Sequence, residues 1–115
     1  MARWTQSAQE TIHLVQTNKS LYKALEDGFI IKLIKNNGEE IEGVYAGNSI
    51  RNDGPPNNPA TNYCSDITLH LLNADTVITD ILDIREILDT TSPDKVKEYA
   101  DAGVIIIDEF YNSKS

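Results

Sequence analysis

The chain has 115 residues, a formal net charge of −8 and a pI near 4.5, with 40% apolar and 24% charged residues. This composition excludes wholesale disorder, because it supplies enough apolar side chains for one core, and the length favours a single domain over residues 1–115. The negative charge works against non-specific adhesion to nucleic acid or to anionic membranes.

The charge is unevenly distributed along the chain. Residues 1–36 carry five Lys and Arg against three acids, and residues 37–115 carry five against fifteen, so an anion-binding surface should come mainly from the N-terminal third. Cys64 is the only cysteine, which excludes an intrachain disulfide. The N-terminus lacks the apolar core of a signal peptide, and the longest aliphatic run covers only residues 104–107. We therefore expect a cytoplasmic protein without a membrane span.

Residues 5–27 are predicted to form an N-terminal helical segment, with Thr5 or Ser7 as N-cap. The apolar residues that share one face are Ala8, Ile12, Val15, Tyr22 and Leu25, and Leu14 and Leu21 widen that face. Core packing is the first interpretation of this face, and partner binding is the alternative. The polar run 17–20 could divide the helix in two, and Gly28 is a candidate stop.

Residues 29–50 are predicted to form a β-hairpin around Asn36-Asn37-Gly38, because Asn and Gly tolerate the positive φ that tight hairpin turns require. Gly43 and Gly47 interrupt the second strand, where glycine is typical of a bend or a bulge. The three glycines Gly38, Gly43 and Gly47 are therefore predicted to be structural.

Residues 51–65 contain three of the four prolines and no aliphatic residue larger than alanine, so we expect an exposed, extended loop. Such a long loop is usually functional or disordered. Two interpretations remain open, a flexible spacer or a contact segment. In the second, Pro55, Pro56 and Asn57 are candidates for contact with a partner protein.

The last third of the chain is predicted to form further strands and a short helix. Residues 66–72 alternate as a strand, 73–75 form a turn, and 76–88 supply one or two more strands. Ser92 is the predicted N-cap of a short helix, followed by Pro93 at its first position, with Gly103 at its end. The aliphatic run 104–107 either adds an edge strand or pairs with another subunit. Segment 92–108 is thus a short helix with a possible edge strand.

The glycine spacing of the predicted hairpin resembles the first motif of the Sm and LSm proteins. This spacing runs from Asn37-Gly38 through Gly43 to Gly47. Ile84-Arg85 resembles the Ile-Arg-Gly of their second motif, and the likeness covers about residues 8–88. The resemblance implies an α+β fold that is mainly β. Residues 29–88 would form a small, strongly bent, antiparallel five-stranded barrel of the SH3-like type, with residues 51–65 as a loop insertion. An N-terminal helix and a short C-terminal helix would flank the barrel. It also implies assembly into rings by strand pairing.

The chain departs from the Sm pattern at the positions that hold a base. Ser49 and Asn52-Asp53 stand where the family places an aspartate and a Met-Asn pair, and Glu86 stands in place of the glycine after Ile-Arg. A weaker, architectural likeness is to the Rof-like inhibitors of transcription termination. These acidic small barrels bind a protein and use no catalytic residues.

Motifs for catalysis and for cofactors are absent from the sequence. There is no phosphate-binding glycine loop, no His-x-x-x-His and no calcium loop. His13 and His70 are the only histidines, and Cys64 with His70 would be a poor nucleophile pair because no third group orients them. We therefore expect no catalytic residue, no metal site and no cofactor.

Three functions remain open on the sequence alone, and a small enzyme ranks last among them. The preferred one is a non-enzymatic interaction module that binds a protein partner through an acidic surface and self-associates. Its contact candidates are Asp80, Asp83, Glu86 and the loop residues named above. The alternative is an RNA-binding protein that uses Lys19, Lys23, Lys32, Lys35, Arg85 and Tyr45. The net charge favours the first, because phosphate contacts dominate RNA affinity. Neither DNA nor membrane is an expected partner.

Overall fold

The computed structural model describes residues 2–55, 58 and 60–105 and shows an α+β fold built on a five-stranded antiparallel sheet. The strands are β1 (Ile30–Lys35), β2 (Glu40–Asn52), β3 (Tyr63–His70), β4 (Thr76–Asp80) and β5 (Ile84–Asp89), and the helices are α1 (Ala8–Ala24) and α2 (Pro93–Asp101). The strand order is β4-β3-β2-β1-β5. The predicted fold class is confirmed, while closure of the sheet into a barrel stays a prediction. No helix in the described part of the chain is long and apolar enough to cross a membrane.

The hairpin that joins β1 and β2 is present, with a turn that differs from the predicted one. Lys35 N–H donates to the carbonyl of Glu39 at 2.8 Å, and Gly38 N–H donates to the carbonyl of Lys35 at 2.9 Å. Gly38 has a φ of +89°, whereas Asn37 is not among the residues of positive φ. The loop therefore has three residues and places only its last one in the left-handed region.

Gly43 and Gly47 have different roles in β2. A Cβ on Gly43 would lie 2.7 Å from the carbonyl oxygen of His70, so only glycine lets β3 approach this closely. Gly47 has a φ of +133° and lies where the register of β2 against β3 shifts between Tyr45 and Gly47. The prediction of a bulge is thus correct for Gly47, while Gly43 accommodates a neighbouring backbone.

The predicted loop over residues 51–65 is shorter in the structure. β2 extends to Asn52 and β3 begins at Tyr63, with Asn52 opposite Tyr63 in the register. Cys64 and Ser65 are buried. Cross-strand hydrogen bonds thus extend the sheet into a stretch whose prolines and small polar residues predicted an irregular loop.

Helix α1 is continuous and shorter than the predicted span 5–27. Its N-cap is Ser7, whose hydroxyl accepts a hydrogen bond from Glu10 N–H at 3.1 Å, and Leu25 is its C-cap. The predicted interruption at residues 17–20 does not occur. Thr5 lies outside the helix and is fully buried. Its backbone N–H donates to the carbonyl of Tyr63 on β3 at 2.7 Å.

The face of α1 that packs on the sheet agrees with the prediction only at Leu14 and Leu21. The buried residues of the helix are Leu14, Thr17, Asn18, Leu21 and Ala24. Ile12, Val15 and Tyr22, which were expected in the core, are 55%, 42% and 53% exposed. Leu14 and Leu21 fill the core, and Thr17 and Ala24 are small enough for the helix to lie close to the strands. The prediction of a core face at Ile12, Val15 and Tyr22 was therefore wrong.

The sheet is covered by packing residues on both faces. The inner core joins α1 to β1, β3, β5 and the short 3₁₀ turn Ile81–Asp83 that separates β4 from β5. The outer core is smaller and consists of Ile30, Val44 and Tyr99, with Val96, Val104 and Ile105 packed against it. Helix α2 therefore lies on the opposite side of the sheet from α1.

Helix α2 begins as its sequence predicts. The Ser92 hydroxyl accepts a hydrogen bond from Lys95 N–H at 3.2 Å, Pro93 opens the helix, and Gly103 follows its end with a φ of +79°. Val104 N–H then donates to the carbonyl of Tyr99 at 2.9 Å. Val104 and Ile105 thus pack against the outer core instead of forming an edge strand, whereas the predicted continuation over 106–108 lies outside the described residues.

The loop between β3 and β4 repeats the geometry of the first hairpin with a less suitable residue. Leu71 N–H donates to the carbonyl of Asp75 at 2.8 Å, and Ala74 N–H donates to that of Leu71 at 2.9 Å. Ala74 has a φ of +73°, the position that Gly38 occupies in the β1–β2 loop. An L-residue with a Cβ is strained there by about 1–2 kcal/mol.

We expect Ala74→Gly to raise the free energy of unfolding by up to about 1 kcal/mol, because relief of the strain exceeds the extra entropy that glycine gives the unfolded chain. Gly38→Ala is the matched control and should lower it by a similar amount. Urea denaturation with an unchanged m-value measures both changes. A destabilised Ala74→Gly variant would contradict the common geometry of the two loops.

Candidate functional site

Part of the outer face of the sheet is left open beside α2. Directly opposite residues on antiparallel strands point to the same face. Ile34 lies opposite Glu40 on β2 and Glu86 on β5, and Lys32 lies opposite Leu88. We call these five residues, Lys32, Ile34, Glu40, Glu86 and Leu88, the outer-sheet surface.

The outer-sheet surface combines apolar and acidic side chains. Leu88 is 40% exposed and Ile34 is half-buried. Lys32 Nζ lies 3.3 Å from Glu40 Oε1, and among the described residues Glu86 has no ion-pair partner. Two carboxylates therefore face one ammonium group around an apolar centre.

Glu42 separates this surface from α2. Lys95 Nζ donates to Glu42 Oε1 at 2.6 Å and to Oε2 at 2.8 Å, and the Tyr99 hydroxyl lies 3.4 Å from Oε1. Burial opposes ionisation of Glu42, but hydrogen bonds from Lys95 and Thr90 outweigh it and lower the pKa of the carboxyl below its ordinary value. Burial, together with the charge of Glu42, raises the pKa of Tyr99 to about 12. A charged hydrogen-bonded group thus fixes α2 to the sheet.

Of the three predicted acidic contact residues, Asp80 and Asp83 both contact Arg3, while Glu86 lies on the outer face of the sheet opposite Ile34. Asp80 Oδ1 accepts from Leu82 N–H at 3.0 Å, which caps the 3₁₀ turn, and Asp80 Oδ2 accepts from Arg3 N–H at 3.0 Å. Asp83 is exposed, with Oδ1 3.9 Å from Arg3 Nη2. Glu86 lies on the outer-sheet surface. Asp80 therefore has a structural role in addition to any contact role.

The loop candidates are only partly described. Pro55 is exposed, and its carbonyl accepts hydrogen bonds from Asn58 N–H at 3.1 Å and from the Thr61 hydroxyl at 2.6 Å. These bonds form a local turn. Pro56 and Asn57 lie outside the described residues.

The predicted RNA-contact residues are distributed over different parts of the fold. They are Lys19 and Lys23 on α1, Lys32 and Lys35 on β1, Tyr45 on β2 and Arg85 on β5. Lys35 Nζ lies 3.0 Å from Glu39 Oε1, and Lys32 is paired with Glu40. Arg85 is exposed at the register shift between β1 and β5. The Tyr45 hydroxyl donates to Asn48 Oδ1, and burial raises the pKa of Tyr45. One continuous basic strip is not formed by these six residues.

The histidines and the cysteine are held apart by the fold. His13 Nε2–H donates to the carbonyl of Ile84 at 2.8 Å, and His70 Nδ1 is hydrogen-bonded to the Thr76 hydroxyl at 3.1 Å. Cys64 is buried near the other end of the strand that carries His70, about 20 Å away at about 3.3 Å per residue. Within the described ranges, no group of three or more His, Cys, Asp or Glu could hold a metal ion.

Sequence reasoning missed Glu40, Ile34 and Leu88 as members of one surface. The alternation of β1 separates Ile31 and Leu33 from Lys32 and Ile34 and could have assigned the two faces of that strand. The cross-strand partners could not be found, since the bulge at Arg85 shifts the register of β5. Comparisons of the chain with protein-family models, with curated proteins and with solved structures give no match.

Glu42→Gln should lower the free energy of unfolding by about 1–2 kcal/mol at pH 7, as expected for a charge-assisted hydrogen bond to a partly exposed lysine. Because the pKa of Glu42 is lowered in the folded state, this stabilisation is present above its ordinary pKa and is lost as the pH falls through the folded value. The difference between the variant and the unmodified chain should therefore shrink below about pH 4.5.

Denaturation at pH 7 and at pH 3 measures the effect. Glu40→Gln is the matched control, because it removes a more exposed Lys–Glu pair on the same strand and should change stability by less than about 0.5 kcal/mol. An equal loss for Glu42→Gln at both pH values would contradict the assigned role of the ionised carboxylate.

Proposed function

We propose that this chain is a non-enzymatic, Sm-like interaction module that binds a basic segment of a partner protein on the outer-sheet surface. The observation that carries the proposal is the row Glu40–Ile34–Glu86 across three strands, with an apolar side chain between two carboxylates. The Sm-like assignment is supported by the glycine spacing and by an antiparallel five-stranded sheet preceded by a helix.

The charge and the apolar content of this surface favour protein as the partner. Exposed apolar side chains rimmed by polar groups are typical of protein-binding sites, and Leu88 and Ile34 supply them. A partner with Lys or Arg opposite Glu86 would gain charge-assisted hydrogen bonds. The net charge of −8 further accelerates association with a basic protein at low salt.

The RNA-binding alternative has weaker support from the geometry. Lys32 and Lys35 are each engaged by a glutamate, and Tyr45 is half-buried, which limits stacking on a base. We therefore expect single-stranded RNA to bind no better than non-specifically, with a Kd weaker than about 10⁻⁴ M at physiological salt.

Charge reversal tests this proposal. Glu40→Lys with Glu86→Lys should abolish capture of the partner, while Glu98→Lys with Asp101→Lys, the matched control on exposed positions of α2, makes the same change in net charge and should retain it. The captured protein should be basic, and its on-rate should fall as salt rises. Asp80 is left unchanged because it caps the 3₁₀ turn.

Two outcomes would contradict the proposal. One is equal loss of the partner in both double variants, which would indicate a general charge effect. The other is tight, sequence-selective RNA binding that is lost on reversing Lys19, Lys23, Lys32, Lys35 and Arg85, which would make the RNA-binding alternative the correct one.

We also propose that the module self-associates through the outer strands of its sheet. In the described part of the chain, β4 and β5 each pair with one strand only, and unpaired strand edges promote pairing with another chain. Ile78 on β4 is 61% exposed. The resemblance to Sm proteins implies a ring as the form of this assembly.

Light scattering of the purified chain at about 10 μM should show an oligomer, which Ile78→Lys should dissociate because a charge at an edge opposes strand pairing. Ser20→Lys adds the same charge at an exposed position of α1, away from the strand edges, and should leave the oligomer intact. A strict monomer at this concentration would remove the assembly proposal and leave partner binding untouched.

A further inference from the structure

The outer face of α1 carries an apolar stripe that no described part of the chain covers. Ile12, Val15 and Tyr22 are spaced by three and seven residues, so they lie on one side of a helix. Each is more than 40% exposed. The 17-residue helix is about 25 Å long at about 1.5 Å per residue. The stripe thus extends over three turns.

Two lysines accompany the stripe. Lys19 follows Val15 by four residues and precedes Tyr22 by three, which places it within the stripe, and Lys23 lies one turn further on. Both are exposed, and neither has an ion-pair partner among the described residues. Glu10 is the only acid of the helix, and it is engaged at the other end, where its carboxylate accepts from Gln6 N–H at 2.8 Å.

We infer that this face of α1 binds an acidic amphipathic helix of another protein. Three apolar side chains at helical spacing match the apolar stripe of a second helix, and Lys19 and Lys23 require carboxylates opposite them for charge complementarity. The inference does not rest on the outer-sheet surface, because α1 packs on the opposite face of the sheet.

Two other occupants fit the stripe less well. A second copy of α1 packed parallel to the first would bring Lys19 and Lys23 against the same lysines of its partner, and like charges oppose association. An antiparallel copy centred on the stripe would place Lys19 opposite Val15, not opposite a carboxylate. A nucleic acid backbone would place phosphates against Ile12 and Val15 and would meet a chain of net charge −8.

Photo-cross-linking identifies the occupant. The chain with p-benzoylphenylalanine in place of Val15 is irradiated in the cells that produce it, and the cross-linked peptide is mapped by mass spectrometry. We expect a segment of another protein that is rich in Asp and Glu and has apolar residues at a spacing of three and four. The same photo-reactive residue at Ile12 serves if the Val15 variant does not fold, and Asp101, at the exposed end of α2, is the control position.

A synthetic peptide of the mapped segment then measures affinity by fluorescence anisotropy. Lys19→Glu with Lys23→Glu should weaken its binding about tenfold or more, as expected for loss of two complementary charges. Arg85→Glu with Lys97→Glu, the matched control, should leave it within about twofold. A cross-link to this same chain, to nucleic acid or to a basic segment would overturn the inference. So would a yield no higher than at Asp101, or an affinity that Lys19 and Lys23 do not influence.

Discussion

Strand β1 is buried on both of its faces where it begins, and the rest of the structure depends on this constraint. Ile31 and Leu33 are fully buried in the inner core, while Ile30 is fully buried in the outer core. Because successive residues of a strand point to opposite faces, the pair Ile30-Ile31 requires cover from both sides. Helix α1 supplies it on one side and α2 on the other. The open remainder of the outer face is the part that α2 does not reach.

Local chemistry made some of this structure predictable. Gly38 ends a hairpin loop because it accepts a positive φ, and Ser92-Pro93 begins a helix because a hydroxyl caps the first turn and proline lacks the N–H that would stay unpaired there. The start of α1 was also readable, since Ser7 and Glu10 have the spacing of a capping box. In each case residues within one turn of one another determine the conformation.

The exposed face of α1 and the members of the outer-sheet surface were not predictable in this way. An apolar stripe of α1 faces solvent, while the face with Thr17 and Ala24 between its leucines packs on the strands. Likewise, Glu40 and Glu86 come to flank Ile34 only through the register of three strands that are distant in sequence. Both features depend on tertiary packing, which single-sequence periodicity does not contain.

Because the outer core is small, the docking of α2 should be less stable than the remainder of the fold. The inner core has eleven buried residues, whereas the outer core has three, so α2 should detach in a sub-global opening well before the sheet itself unfolds. Such an opening would remove the cover from Ile30 and Val44, which lie on the same face as Ile34 and Leu88. The exposed apolar area of that face would then depend on the equilibrium between docked and detached α2. A ligand that binds better to the larger apolar area would shift this equilibrium toward the detached form.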